Sequence, residues 1–596
     1  MKSTISILLL LFIVSIVVAV DNGCESYMNY PAVTIDKSVY TTSTTNSVYV
    51  LYVNGGYLAI SQQAAGSQAT PSNTIIQASF SDDIATTGWG RLNVTSFGVV
   101  NDDCLQTYLG GYVEGIMTAE RINQMYTNFA AGEFKNSTPS ATLLSFMSAQ
   151  LAWVRKGVAM LESDSQPDLT HPFNLDDDDQ SFGEYSYSIN STIYWHSVKL
   201  IMAQFDGIVG GYQASTFGQS NVMSQMQLYL LTSAGDLQTL NTLYGEPAVE
   251  SKSGRMQKHL FNGFQDMDGY DDDIDFLDCS ALVRLLPGNQ DAYFAHTTWR
   301  YYYGMMRIYK FYNFALQQFK LSYHVSFSSS PGFLSSKDDF YMTGANLAVM
   351  ETTNNIYNET LYMFVLPETL LVWQRAVISN ILAQSAPSWA LTFQQYNSGT
   401  YNNQWMIFDY KLFSPSQSLP DNTFWVLEQI PGYCEMQDMS QILDKNQVWP
   451  SYNIPYFEEI YNISGYPAMQ QKYGDSYSYQ SCPRALIFGR NATDIQTFEG
   501  MQEMMQYNYY KYDPLSLGSP SNSISSRADL LPNPVAFGGV DSKITSSQLI
   551  QTLSCSAISG PTHQGLPYFQ YSSNPIFNST SHIGLPDIWN FDWVSF

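Results

Sequence analysis

Apolar and polar positions are most informative over residues 279–310. Residues 280–286 form an apolar run rich in branched side chains. Pro287-Gly288-Asn289-Gln290 breaks it with turn chemistry, and residues 291–298 resume it. The pattern predicts two strands around a four-residue loop. From Trp299 the spacing changes, and Tyr302, Met306, Tyr309, Tyr312, Leu316 and Phe319 recur every three or four residues. That spacing predicts an aromatic helix whose stripe faces a core. If Leu286 pairs with Asp291, antiparallel register sets Cys279 opposite Thr298. His296 is then a diagonal neighbour on the same face, roughly 7 Å away. A slip of one residue would turn the imidazole to the other face.

The segment before the thiol is of the opposite character. Residues 265–278 read QDMDGYDDDIDFLD, acidic and without periodic apolar positions. Such a segment is expected as an exposed loop, where nicking concentrates. Cleavage of the Asp278-Cys279 bond would give Cys279 a free α-amine, with a reference pKa of about 7.7–8.0. One residue would then supply both nucleophile and base. The same spacing also fits a buried cysteine at a strand start.

CSAL, FAHTTW and MRIYK, in that order from Cys279, resemble the core signature of the phospholipase B-like proteins, a secreted and lysosomal family. ANLAVMETTNNIYN (345–358), NSGTYNNQWMIFDYKLF (397–413), VLEQIPG (426–432), SYNIPYFEEIYNISGY (451–466), PRALIFGR (483–490) and YNYYKYDPLSL (507–517) continue the resemblance. It is weaker before Asp278. It implies an α+β fold, an αββα sandwich of the N-terminal nucleophile hydrolase type with insertions. Residues 1–19 would be a signal peptide, and 20–278 and 279–596 two fragments of one sandwich.

The implied activity is deacylation of glycerophospholipids through a Cys279 thioester after self-cleavage. An amidohydrolase acting on N-acyl lipids or other amides, and a non-enzymatic lysosomal lipid-binding glycoprotein, are the alternatives. His296 would tune the thiol or help bind the acyl substrate, and the resemblance makes Trp299 a pocket residue. Asn402 and Asn403 precede the apolar strand 405–408, where a side-chain amide can donate to a developing oxyanion or cap a turn. Thr352, Thr353 and Asn354 are candidates to line the same pocket, and Arg484 to orient the thiol or a head group.

Composition narrows the setting. Lys2 followed by apolar residues 5–18 and Val17-Val18-Ala19 reads as a cleaved secretory signal. Seven N-x-Ser/Thr sequons, at Asn93, Asn136, Asn190, Asn358, Asn462, Asn491 and Asn578, are candidate glycan acceptors. With 26 Lys+Arg against 52 Asp+Glu, the chain is not built to attract nucleic acid or anionic surfaces. The partner that the resemblance implies is a phospholipid or other acyl lipid, met in transient contact with a membrane surface. Only 13% of residues are charged, against a usual value of about 25%. No linker or repeat divides the chain, which favours one large sandwich.

Six cysteines are too few for a disulfide framework in a chain this long. Cys434–Cys482 and Cys24–Cys104 are the expected pairs. No zinc-type spacing occurs, and the acidic runs 176–179 and 271–273 read as solvated loops, so neither metal nor cofactor is expected. No G-x-S-x-G elbow is present. Gly474-Asp475-Ser476 resembles a lipase block. The Asp168-x-x-His171 pair precedes it, which is the wrong order, so the tripeptide reads as a turn. His324, His563 and His582 have no recognisable partners in the sequence.

Overall fold

The computed structural model describes residues 72–161, 190–215, 222–245, 279–318 and 323–596, with Leu321 and the backbone of three strands between residues 34 and 63. The candidate signal, the acidic loop 265–278, the run 176–179, Asp168, His171 and Cys24 lie outside these residues.

Two sheets face each other. The larger has twelve strands; its centre runs from Trp89–Ser96 through Arg307–Phe314, Tyr323–Ser329, Phe340–Thr343, Leu347–Thr353 and Asn403–Asp409 to Phe424–Ile430. The smaller has six, ordered Val448–Ser451, Cys279–Leu285, Ala292–Tyr301, Phe537–Ser546, Ser556–Ser559 and Val594–Ser595. Alternation assigns each face of these strands. Ala348, Met350, Met406 and Phe408 meet Ala281, Val283 and Phe294 between the sheets. Leu347, Val349, Trp405 and Ile407 turn outward to a layer of helices. Leu282 and Ala295 turn the other way, to a second helical layer that includes Pro483–Asn491 and Phe498–Met505. The chain is mixed α and β, stacked as helices, sheet, sheet, helices.

Within the first helical layer, Asp103–Met117 and Ser191–Ser215 touch backbone to backbone. A Cβ on Gly111 would lie 2.0 Å from the Gln204 carbonyl oxygen, and one on Gly207 2.0 Å from that of Tyr108. Strands from either side of residue 278 share one sheet, since Trp89–Ser96 pairs in parallel with Arg307–Phe314.

Two expectations are overturned. The stretch after Trp299 is not a helix: the Ala292–Tyr301 strand runs through Trp299, a short 3-10 turn follows, and Arg307–Phe314 is a strand. Both of its faces are buried, so aromatic residues occur at every phase and mimic a helical stripe. The true period is two, with Ile308 and Tyr312 toward the helices and Tyr309 toward the second sheet. Lys310 is buried on the helical face because it donates to Glu114 Oε1 at 2.6 Å. The Cys434–Cys482 pair is also absent, for both are free thiols. Cys434 lies on the edge strand Tyr433–Asp438 of the large sheet, whereas Cys482 caps the Pro483–Asn491 helix behind the small sheet. Cys104 is not among the free thiols of the described residues. Gly474–Tyr477 is a single 3-10 turn, as its composition suggested.

Four fully buried charges bridge the sheets. Arg307 from the large sheet pairs with Asp338, and at 2.8 Å with Asp541 of the small sheet. Lys543 closes the set, 3.0 Å from Asp338 and 2.6 Å from Asp541. Replacing Arg307 by Met leaves two carboxylates buried with one cation. The expected loss is about 3–5 kcal/mol in urea denaturation. Lys411→Met, at a pair whose lysine is half-solvated although Asp409 is buried, is expected to cost less than Arg307→Met.

Candidate functional site

The predicted hairpin register holds. Cys279 pairs with Thr298 and Ala281 with His296, which puts thiol and imidazole on one face, diagonally placed. Both are buried. Cys279 Sγ, one ring nitrogen of His296 and a Glu351 carboxylate oxygen lie within 4.8 Å of one another. Glu351 was not singled out in the sequence, although it lies inside METTN. The neighbouring strand makes its last pair at Phe340↔Met350, so Glu351 borders the gap beyond that strand's end.

The imidazole is held in place. Its Nδ1 is 3.3 Å from Thr298 Oγ1, which accepts from Lys543 Nζ at 2.6 Å. Burial first, and then the Lys543 charge, push the His296 pKa well below the ordinary imidazole value. His296 is therefore a neutral ring at physiological pH, suited to hydrogen bonding and ligation rather than to carrying charge.

The backbone of Cys279 is clamped at both ends. Its N–H donates to Asn453 Oδ1 at 3.3 Å, and its carbonyl accepts from Arg484 Nη1 at 2.5 Å. Arg484 Nη2 also donates to Asn453 Oδ1, at 2.8 Å, and to the Tyr452 carbonyl at 2.6 Å. The guanidinium stacks over Trp299, 4.6 Å from the ring centroid. Burial lowers its pKa to about 10, which still leaves it charged. Trp299 thus supports Arg484 behind the small sheet, and its indole N–H donates to the Ile524 carbonyl. It follows Thr298 in the strand and points to the opposite face from His296.

Asn453 is the residue that sequence reasoning missed most plainly. It has φ 68°, a conformation asparagine tolerates better than most residues. Its Nδ2 donates to the Thr353 carbonyl at 2.6 Å, so it joins the strand of Cys279 to the large sheet. The loop behind it is fixed by Glu428, which accepts from the N–H groups of Tyr456 and Phe457 at 2.7 and 3.0 Å and from Gln404 Nε2 at 2.6 Å.

The remaining candidates gather around Thr353. Thr352 faces the small sheet and its hydroxyl lies 2.5 Å from Ser451 Oγ. Thr353 is directly opposite Asn403, and the Asn354 N–H donates to the Asn402 carbonyl at 2.7 Å. Asn402 Nδ2 donates to the Gly399 carbonyl at 3.0 Å. Its Oδ1 and both side-chain atoms of Asn354 and Asn403 are buried without protein partners. A small cleft of about 30 Å³ opens here, lined by Thr353, Asn354, Tyr401 and Asn402 with Gln238 and Tyr362 among others, none of them charged. Buried amides with open valences are costly unless a ligand or water completes them.

Elsewhere, Asn93, Asn136, Asn190, Asn462 and Asn578 are exposed, and Asn358 and Asn491 are half-buried. Asn358 Nδ2 already donates to the Ile463 carbonyl at 3.0 Å. His324 is exposed, whereas His563 and His582 are half-buried, the latter stacked on Tyr571. Among the described residues no helix is long and apolar enough to cross a membrane.

Burial raises the Glu428 pKa to about 7. The folded protein therefore binds a proton more tightly there than the unfolded chain does. Stability from this group is full below the ordinary glutamate range and is lost as pH rises toward and past 7. Against Glu428→Gln, wild type is expected to lose about 3 kcal/mol between pH 4 and pH 8, read as the change in their urea-denaturation difference.

Comparison with known proteins matches this sequence to a family. The Phospholipase B family profile covers residues 76–596. Phospholipase B-like protein G of Dictyostelium discoideum is 47% identical over 95% of this chain and 92% of its own. Human Phospholipase B-like 1 is 36% identical over 87% and 86%. Phospholipase-B 81 of Drysdalia coronoides is 36% identical over 87% of each chain. Cys279, its clamp and the cleft all lie within the matched region, and the chain belongs to the phospholipase B family.

Proposed function

We propose that this protein is a cysteine hydrolase of the N-terminal nucleophile type that removes fatty acyl groups from glycerophospholipids. The observation that carries the reading is the treatment of Cys279. It opens a central strand, its nitrogen is cradled by Asn453, its carbonyl by Arg484, and its sulfur faces His296 and Glu351. Cleavage of the Asp278-Cys279 bond turns the cradled nitrogen into an α-amine beside the thiol. That amine takes the thiol proton as sulfur attacks the acyl carbonyl, because burial and the Lys543 charge make His296 a weak base. Asn403 and backbone N–H groups receive the oxyanion, the α-ammonium returns its proton to the departing alcohol, and water hydrolyses the thioester. The names of the relatives support a phospholipid substrate. Strand sharing across residue 278 supports two fragments that stay together after the cut. Entry into the secretory pathway, a lysosomal or secreted destination and glycans on the exposed sequons complete the proposal.

The uncharged lining of the cleft favours a second reading, hydrolysis of N-acyl amides. Matched ester and amide substrates presented to the processed protein decide between them by their kcat/KM ratio.

Intact mass and N-terminal sequencing of the secreted protein are expected to show a fragment beginning at Cys279. Cys279→Ala is expected to stay one chain and to be inactive. Cleavage of that variant at the same bond would assign the cut to another protease. On already cleaved enzyme, Asn403→Ala is expected to lower kcat by about 10²–10³. Asn403→Asp is expected to be worse, since a carboxylate would face the oxyanion. Wild-type rates in Asn403→Asp would remove Asn403 from the site.

A further inference from the structure

We propose that Cys279, His296 and Glu351 form a site for one zinc ion, which silences the nucleophile by ligating its sulfur. A thiolate, an imidazole nitrogen and a carboxylate oxygen make a three-ligand set suited to this borderline-soft ion, with a fourth position left for water. Their ligand atoms already lie within 4.8 Å of one another. Bond lengths of about 2.0–2.3 Å to zinc set tetrahedral neighbours roughly 3.5 Å apart, so the site closes with shifts on the order of an ångström.

Rigid elements carry all three ligands. Cys279 and His296 sit on paired strands of the small sheet, and Glu351 on a strand of the large one. The imidazole has the support a zinc ligand needs. Thr298 Oγ1, which accepts from Lys543 Nζ, lies 3.3 Å from His296 Nδ1, and partners of this kind orient a ligating ring. Nε2 is buried, and the Glu351 main chain hydrogen-bonds the ring. Thr353, which lines the cleft, donates its hydroxyl to Glu351 Oε2 at 3.4 Å. The nearby cations Arg307 and Lys543 are paired with Asp338 and Asp541, so they do not repel the ion as free charges.

Binding replaces the thiol proton: Cys–SH and Zn²⁺ give Cys–S–Zn⁺ and H⁺. Affinity therefore falls as pH falls, and the nucleophile is released in acid.

Full-length protein as isolated, stripped with a chelator, is titrated with Zn²⁺, or with Co²⁺ as a coloured stand-in. The expected result is one ion per chain and a thiolate-to-cobalt absorption band that Cys279→Ser abolishes. Glu351→Gln should bind about tenfold more weakly or worse. In the wild-type protein Zn²⁺ should protect Cys279 from alkylation and leave Cys434, Cys482 and Cys555 unchanged. Should Glu351→Gln fail to fold, the alkylation pattern decides alone. No stoichiometric binding, a band that survives Cys279→Ser, undiminished affinity in a folded Glu351→Gln, or unchanged alkylation of Cys279 overturns the site. No readout uses turnover, so the result is independent of the proposed hydrolase activity.

Discussion

Four charges with no access to water hold the two sheets in register. Burial alone would raise the Asp338 pKa, but Arg307 and Lys543 keep it well below the ordinary carboxylate value. The set is electrically balanced, two cations with two carboxylates, and each member would be costly to bury alone. Because Arg307 belongs to one sheet and Asp541 and Lys543 to the other, sliding either sheet would break pairs that no solvent can replace. Lys543 carries that constraint onward to Thr298, and Thr298 to the imidazole of His296. The position of the imidazole beside the thiol thus follows from the packing of the whole sandwich.

The strand that begins at Cys279 is treated differently from its neighbours. Most strands in the small sheet are fixed by pairing and by apolar contacts on both faces, whereas Cys279 is held by side chains at its amide and at its carbonyl. Asn453 and Arg484 reach it from the segments after Val448–Ser451 and from the second helical layer. Glu428 steadies the loop between, so the geometry around one nitrogen draws on both sheets and a helix. Preorganisation of this kind places groups before reaction rather than during it.

Much of this was legible in the sequence. Pro287-Gly288-Asn289-Gln290 fixed the loop, and the loop fixed the register that sets Cys279 against Thr298. The aromatic stretch after Trp299 misled because a strand buried on both faces has apolar residues at every phase, and only Lys310 and its Glu114 partner reveal the period of two. Glu351 and Asn453 were hidden for another reason. Each is brought to Cys279 by pairing between segments far apart in the chain, and neither has a local pattern that announces it. The cysteine pairing failed on the same ground, since sequence does not reveal that Cys434 and Cys482 belong to different layers.

The central claim is that the Cys279 sulfur carries the acyl group during turnover. Processed enzyme mixed briefly with a phospholipid substrate and quenched in acid tests it by intact mass and peptide mapping. The account predicts one fatty acyl group on the fragment that begins at Cys279, attached at that residue and released by hydroxylamine. Turnover with no adduct on Cys279, or with an acyl group mapped to a serine or threonine, would contradict it.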